Sequence, residues 1–271
     1  MDGIAAAGVL TVEPGTFSYG LGNLVLGRVI EIVIAQSTGT EKRFSAIMEE
    51  MLFKPLGMST AAFYLQDGDP RIAKFPELYG STPDRAEKYV PYAESLPPLP
   101  AGTMVPPNTT ATDSFSGPRK CDSGDTGTCM TVDDYSKFYD FLHADGITPD
   151  GVRLLKPATV QALTKKKIRG LRCDNGLAAA FGVNGAAAAI PQSFRLGWCV
   201  KHPDADVDEL DPTQHTVECE WSGYANNRGT FYPDDDAYCL IFPQVMAPSP
   251  GGFAVTAEIH KARGKILSLW N

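Results

Sequence analysis

An α+β fold, with helices and long connections first and an antiparallel sheet with a closing helix after them, is what this sequence predicts. Three observations carry the prediction. Apolar residues recur at helical spacing in several runs before Gly170. Short stretches rich in aromatic and β-branched residues, separated by hairpin-length turns, follow that point. The 26 glycines and 21 prolines exceed their usual share, which places much of the chain in connections and excludes a plain helical bundle.

The first element follows a Pro14-Gly15 turn. From Tyr19 to Gly39, Leu21, Leu24, Val25, Val29, Ile32 and Val33 recur at helical spacing, and Gly39 stops the run. A second amphipathic helix is predicted from about Glu41 to Lys54. It would carry Phe44, Ile47, Met48, Met51 and Leu52 on one face and end at Pro55 and Gly57. From Gln66 to Gly127 the chain is rich in Pro, Gly, Ser, Thr and Asp, apart from a short apolar piece between Arg71 and Tyr79. A stretch of this length without regular structure tends to cover or line a site. Thr131 to His143 is a third helix, with Thr131 and Asp134 fitting a capping box and Tyr135, Phe138, Phe141 and Leu142 as its buried stripe. Pro157 suits the first position of a fourth, short helix ending near Thr164. Phe194–Val200, Thr216–Trp221, Arg228–Tyr232 and Ala237–Phe242 then read as strands. The connections Ser222–Asn227 and Pro233–Asp236 have hairpin length, so the sheet is antiparallel. A final helix, Phe253 to Trp270, is expected to pack on that sheet.

Charge and cysteine usage exclude several classes. With 24 basic against 32 acidic side chains the net charge is −8, which opposes binding to a phosphate backbone. The one dense basic run, Lys165-Lys166-Lys167, reads as a solvated helix end. No apolar stretch reaches the ~18 residues of a membrane span, and no secretory signal is visible at Met1. The expectation is a soluble protein with no nucleic-acid partner and no membrane span, the cytoplasm favoured. None of the six cysteines forms a C-x-x-C pair, and Cys199, Cys219 and Cys239 lie in strand-like stretches as small buried hydrophobes. Cys121 and Cys129 flank a loop and are the pair able to bridge, although nothing signals an oxidising compartment. The four histidines lack metal-ligand spacing, so no metal or cofactor is expected. The acid groups Asp133/Asp134 and Asp234–Asp236 are accounted for by helix-dipole and turn chemistry.

One string stands apart: Pro14-Gly15-Thr16-Phe17-Ser18-Tyr19-Gly20-Leu21-Gly22, followed by Val25-Leu26-Gly27-Arg28-Val29-Ile30-Glu31. It resembles the second active-site motif of the serine β-lactamase and penicillin-binding-protein-like superfamily, in the form P-G-x-x-F-x-Y with L-G-x-x-I-E found in class C β-lactamase-related carboxylesterases. The likeness continues in order. Phe53-Lys54-Pro55-Leu56-Gly57-Met58-Ser59-Thr60 resembles F-x-P-L-G-M-x-x-T, with the threonine one place early. Thr126–Met130 and Thr131-Val132-Asp133-Asp134-Tyr135 resemble the family's glycine-rich turn and S-T-x-x-D-Y helix start. Asp150-Gly151-Val152-Arg153-Leu154-Leu155-Lys156-Pro157 resembles D-G-x-R-L-L-S-P. Glu220-Trp221-Ser222-Gly223 resembles the W-G-G form of the third motif, which replaces K-T-G in the esterases.

The resemblance implies a partial β-lactamase/transpeptidase-like fold and carboxylester hydrolysis, in which a serine attacks a carbonyl and water resolves the acyl-enzyme. Tyr19 matches the motif tyrosine that shares the serine's proton traffic. Trp221, Ser222 and Gly223 match one wall of the site, and Tyr224 the backbone N–H aimed at the oxyanion. Structural readings stand beside these: Tyr19 as an aromatic packed at a helix start, Trp221 as filler of the sheet's core face. The departures are equally definite. No Ser-x-x-Lys occurs, Leu21 stands where the family has asparagine, Ser222 replaces the first glycine of W-G-G, and only eighteen residues precede Tyr19.

The expectation is therefore a single related domain over 1–271, N-terminally incomplete, with a helical and loop-rich region at 1–170 and a sheet with terminal helix at 171–271. Its substrate would be a small-molecule ester or amide, with Tyr19 and Trp221-Ser222-Gly223 on opposite walls of one cleft. Nucleophile and lysine are missing from the chain, so activity is not expected of it alone. A non-catalytic binding or interaction module derived from the same fold is the alternative, with self-association through an unpaired sheet edge.

Overall fold

The computed structural model describes residues 22–66, 68–81, 89–91, 122–124, 128–164, 171–172, 192–195, 198–201, 218–223, 225, 227–233 and 236–244. The first predicted run forms helix α1, Gly22–Thr38. Gly39 ends it in the left-handed region, at φ +70, a conformation that favours glycine. Of the helix's residues only Gly27 is buried, because the ring of Phe44 lies against it.

Helix α2 corrects the sequence reading. It begins at Phe44, runs as an α-helix to Met48 and continues as a π-helical turn over Glu49–Phe53. Lys54 N–H donates to the Glu49 carbonyl at 3.0 Å, and Met58 N–H to that of Phe53 at 2.8 Å. Pro55 has no N–H to continue the α ladder. The wider turn shifts the apolar face by a residue. Met51, expected inside, is 58% exposed, while Phe53 is 3% exposed. Phe53 and Phe44 both pack on Phe63, the latter edge-on at 5.3 Å between centroids.

The segment read as irregular contains structure. Ile72–Lys74 is a 3₁₀ turn, begun where Asp69 accepts from the Arg71 N–H at 2.9 Å. Strands β1 (Tyr79–Ser81) and β2 (Tyr89–Pro91) pair antiparallel. Three-residue strands are too short to show periodicity. Ala62 and Cys129 form an isolated antiparallel bridge, and Cys129 is a free, buried thiol, so the disulfide considered for it is not formed.

Helix α3 spans Val132–His143, capped by Thr131, whose hydroxyl accepts from the Asp134 N–H. Its buried face includes Phe141 and Leu142 as expected, with Tyr135 and Phe138 partly buried against the core. The most enclosed residue, Tyr139 at 0% exposure, was not in the expected stripe. Helix α4 spans Pro157–Thr164 with proline first, as predicted.

Six strands then form an antiparallel meander in sequence order: β3 (Leu171–Arg172), β4 (Gln192–Arg195), β5 (Trp198–Lys201), β6 (Glu218–Ser222), β7 (Arg228–Tyr232) and β8 (Ala237–Ile241). The stretch Phe194–Val200, expected as one strand, is a hairpin in which Arg195 pairs with Trp198. Gly197 lies between them in sequence, the residue type that a two-residue hairpin connection requires. The expected helix Phe253–Trp270 lies outside the described residues, as do Lys165-Lys166-Lys167.

Helix α3 lies on the sheet. Tyr139 packs on Phe231 and Tyr238, His143 stacks on Phe231 at 4.3 Å, and the Tyr238 hydroxyl bonds Asp140 at 3.0 Å. One core cluster runs from Phe44, Phe53 and Phe63 through Tyr139 to Cys219 and Phe231. Among the described residues no helix is long and apolar enough to cross a membrane.

Candidate active site

Strand alternation orients the third motif. Cys219 and Trp221 share one face of β6, and Glu220 lies on the other. Cys219 is 0% exposed within the core cluster, whereas Trp221, at the strand's end, is only half-buried. The strand ends in a tight turn: Gly223 N–H donates to the Asn227 carbonyl at 2.7 Å. That bond engages the Gly223 N–H within the hairpin.

The register beneath the motif is held by charge. Ser222 pairs with Arg228 across the ladder, and Arg228 reaches diagonally to Glu220, its Nε at 2.7 Å from Oε2 and its Nη2 in contact with the same oxygen. Glu220 is 8% exposed. A carboxylate that buried is sustained by a paired, hydrogen-bonded cation. The pair stiffens the two strands on either side of the turn.

The tyrosine motif lies immediately before α1, and the structure shows what holds that helix. Gly124 lies so close to the Asn23 carbonyl that a Cβ there would overlap its oxygen. The same segment is anchored by Asp122, whose side chain is 0% exposed. Asp122 accepts from Arg43 through Nε at 3.2 Å and Nη2 at 2.5 Å, and from the Ser45 N–H at 2.8 Å. Glu31 of α1 accepts from the Phe44 N–H at 2.8 Å. Burial pushes the Asp122 carboxyl up, but the bonds from Arg43 and Ser45 outweigh it and hold the group below the usual carboxylate range. A depressed folded pKa gives stability that is present above the unfolded value, ~3.9, and lost as pH falls through the folded one. In urea titrations the wild-type protein should exceed Asp122→Asn by about 1–2 kcal/mol at pH 7. That margin should shrink at pH 3; an unchanged margin would contradict an ionised Asp122.

Of the residues expected to form the site, Trp221, Ser222 and Gly223 stand together at the end of β6. Tyr19 and Tyr224 lie outside the described residues. Asp122, Gly124, Asn227 and the Glu220–Arg228 pair were not anticipated; only the hairpin-length spacing of Gly223 and Asn227 hinted at any of them. A cavity of about 420 Å³ beside α1 is lined by Arg28, Glu31, Ile32, Lys42 and Arg43 among others, and by none of Trp221, Ser222 and Gly223. Its cations are engaged: Arg28 by Glu31, Lys42 by Glu50 and Arg43 by Asp122. Among the described residues no group of three His, Cys, Asp or Glu is placed to hold a metal.

Comparison with known proteins bears on the family and the fold. The family model described as Beta-lactamase matches residues 8–262. No curated protein sequence matches the chain. Among solved structures, the LovD9 mutant of simvastatin synthase from Aspergillus terreus is 18% identical, with a TM-score of 0.62 over 96% of this chain and 57% of that one. Unliganded simvastatin synthase from the same organism is 19% identical, with a TM-score of 0.57 over 88% of this chain and 51% of that one. EstCE1, a hydrolase with promiscuous acyltransferase activity, is 19% identical, with a TM-score of 0.56 over 89% of this chain and 55% of that one. These likenesses are of fold. The chain spans about half the length of the relatives it matches.

Proposed function

The chain belongs to the beta-lactamase family, and from that premise we propose that it carries the proton-transfer and oxyanion side of a serine carboxylester-hydrolase site. Tyr19 is its proton-transfer residue, Trp221-Ser222-Gly223 its substrate wall, and the Tyr224 N–H its oxyanion donor. The observation that supports this most is the third motif's setting, on a strand end whose turn is closed by Gly223 and Asn227 and braced by Glu220 and Arg228. In acyl transfer the serine oxygen adds to the ester carbonyl, the alcohol leaves with a proton, and water or a second alcohol takes the acyl group. The names of the similar solved structures, a simvastatin synthase and a hydrolase with acyltransferase activity, fit that chemistry. The substrate class is a small-molecule ester.

The 271 residues contain no Ser-x-x-Lys. A tyrosine lowers the barrier only beside a nucleophile, and loss of one member of such a unit costs several orders of magnitude in rate. The purified chain should show no burst with p-nitrophenyl butyrate and no covalent adduct with a fluorophosphonate probe. A stoichiometric adduct mapped by peptide analysis to a serine would overturn the reading.

A non-catalytic interaction module is the second reading, and the surface of α1 favours it. Val25, Leu26, Val29, Ile32 and Val33 are each 39–53% exposed on one side of this helix, while Gly27 and Ile30 face the core. A helix apolar on both sides is suited to a second covering layer.

A further inference from the structure

Helix α1 is supported on one side. Gly27, the only residue of this helix that is buried, lies against the ring of Phe44, and Gly124 seats close to Asn23 and Gly27. Val29 comes two places later, about 200° round the helix, and so stands away from that support. Around it Val25, Leu26, Ile32 and Val33 complete a stripe, with Val25 the least exposed of the five at 39%. Arg28 and Glu31, paired with each other at 2.7 Å, border the stripe on one edge, and no charged residue interrupts it. Five such side chains leave roughly 400 Å² in water, the size of apolar patch that marks a contact surface.

We infer that this stripe docks a second copy of the chain, α1 packing antiparallel on α1 about a two-fold axis through Val29. The inference deepens the reading of α1 as an interaction surface and rests on it. A two-fold pairing needs a patch that matches itself when reversed. Here the spacing supplies the match. Reversal about Val29 sets Val25 level with Val33 of the second copy, and Leu26 level with its Ile32. The same reversal brings Arg28 of each copy within one residue of the level of Glu31 of the other, so unlike charges meet along the border. Parallel pairing in register would set Arg28 against Arg28. Two such faces, with Arg28 and Gln36 at their margins, remove about 1,000 Å² from water, which is the low end of specific interfaces. Association therefore belongs at micromolar concentrations and not at nanomolar ones.

The test is sedimentation equilibrium of the full chain, which should pass from monomer to dimer between about 1 and about 200 μM. Val29→Glu sets two carboxylates on the axis and should weaken dimerisation at least tenfold. Position 29 is 45% exposed, so the folded monomer accepts the change. A second measurement reads the geometry. Val29→Cys should cross-link to itself under mild oxidation beyond the wild-type background. Gln36→Cys should not, because antiparallel pairing holds the two copies of position 36 about 21 Å apart along the helix axis. Equal cross-linking of the two variants, dimers that survive Val29→Glu, or a wild-type chain that stays monomeric throughout would each overturn the inference. The reading of α1 as an interaction surface fails separately, through the fluorescence of anilinonaphthalene sulfonate at low protein concentration. A signal that Val29→Glu leaves unchanged would show that the stripe is not open. A monomeric chain whose signal falls in Val29→Glu would overturn the second copy as occupant and leave the surface standing.

Discussion

Gly229→Ala should destabilise the protein by about 3 kcal/mol, with the urea midpoint falling and the slope unchanged. Gly229 lies on β7 opposite Trp221 of β6 and Leu240 of β8, and Tyr139 of α3 presses its hydroxyl onto the Gly229 backbone. A methyl at this place would overlap that oxygen and meet Tyr139 Cζ at 3.1 Å and a Tyr135 ring carbon at 3.3 Å. Neither ring can yield cheaply. Tyr139 is 0% exposed, edge-on to Tyr135 at 5.2 Å and packed on Phe138, Phe231 and Tyr238. Burial pushes both the Tyr135 and the Tyr139 phenol up, so both stay neutral at ordinary pH. Removing the hydroxyl in Tyr139→Phe relieves the worst overlap but leaves the ring carbons. The double variant should therefore recover about half of the loss, a non-additivity that a double-mutant cycle reads directly. A Gly229→Ala protein as stable as wild type would show that α3 is not seated on the sheet as described.

That contact marks where the sequence stopped being legible. Elements whose residues repeat at a helix or strand period were readable, because burial on one face imposes the period. The helix after Thr131 and the meander around Glu218–Ile241 are of this kind, whereas the run from Leu24 to Val33 kept its helical period with the apolar face exposed. Errors arose where the period changes within an element. The π turn at Glu49–Phe53 moved Phe53 inward and Met51 outward, and the reversal after Arg195 split one expected strand into two. Strands of two or three residues, β1 to β3, left no period to read.

The candidate site was legible by another route, the likeness of short ordered motifs, which names residues but not what holds them. Gly124 reads in sequence as one more glycine in a turn, and Asp122 as one more loop acid. Their value lies in Asn23, Arg43 and Ser45, none of which is near them in the chain. Glu220 and Arg228 are eight positions apart, and meet only because the hairpin register sets Ser222 opposite Arg228. Such pairings follow from loop geometry, which composition and periodicity do not encode.

Asp134→Ala should cost about 3–4 kcal/mol at pH 7, a large share of a typical domain's stability. At sequence level the residue looked like an acid favoured by a helix dipole; in the structure it is a strut. It is 3% exposed and accepts from the Thr60 N–H and hydroxyl, both at 2.5 Å, and from Lys137 Nζ at 2.6 Å. Lys137 also donates to the Gly57 carbonyl, and Thr60 meets the capping hydroxyl of Thr131 at 3.1 Å. The first turn of α3 is thereby tied to the turn after α2, inside the segment that resembles the Pro-Leu-Gly-Met motif. Removing the carboxylate leaves the half-buried Thr60 N–H and hydroxyl without their acceptor, and those lost bonds supply most of the cost. Lys137 contributes less because its head remains in reach of water. Asp134→Asn keeps an acceptor for Thr60 and should lose about half as much. Burial pushes the Asp134 carboxyl up, but Lys137 and Thr60 pull it further down, to below the ordinary carboxylate range. Its contribution is therefore complete above the unfolded pKa of ~3.9 and lost as pH falls through the folded value. Urea titrations at pH 7 and pH 2.5 should show the wild-type advantage over Asp134→Ala narrowing in acid. An advantage that is small at pH 7, or that grows in acid, would mean that Asp134 is not the ionised tie between α3 and the Thr60 turn.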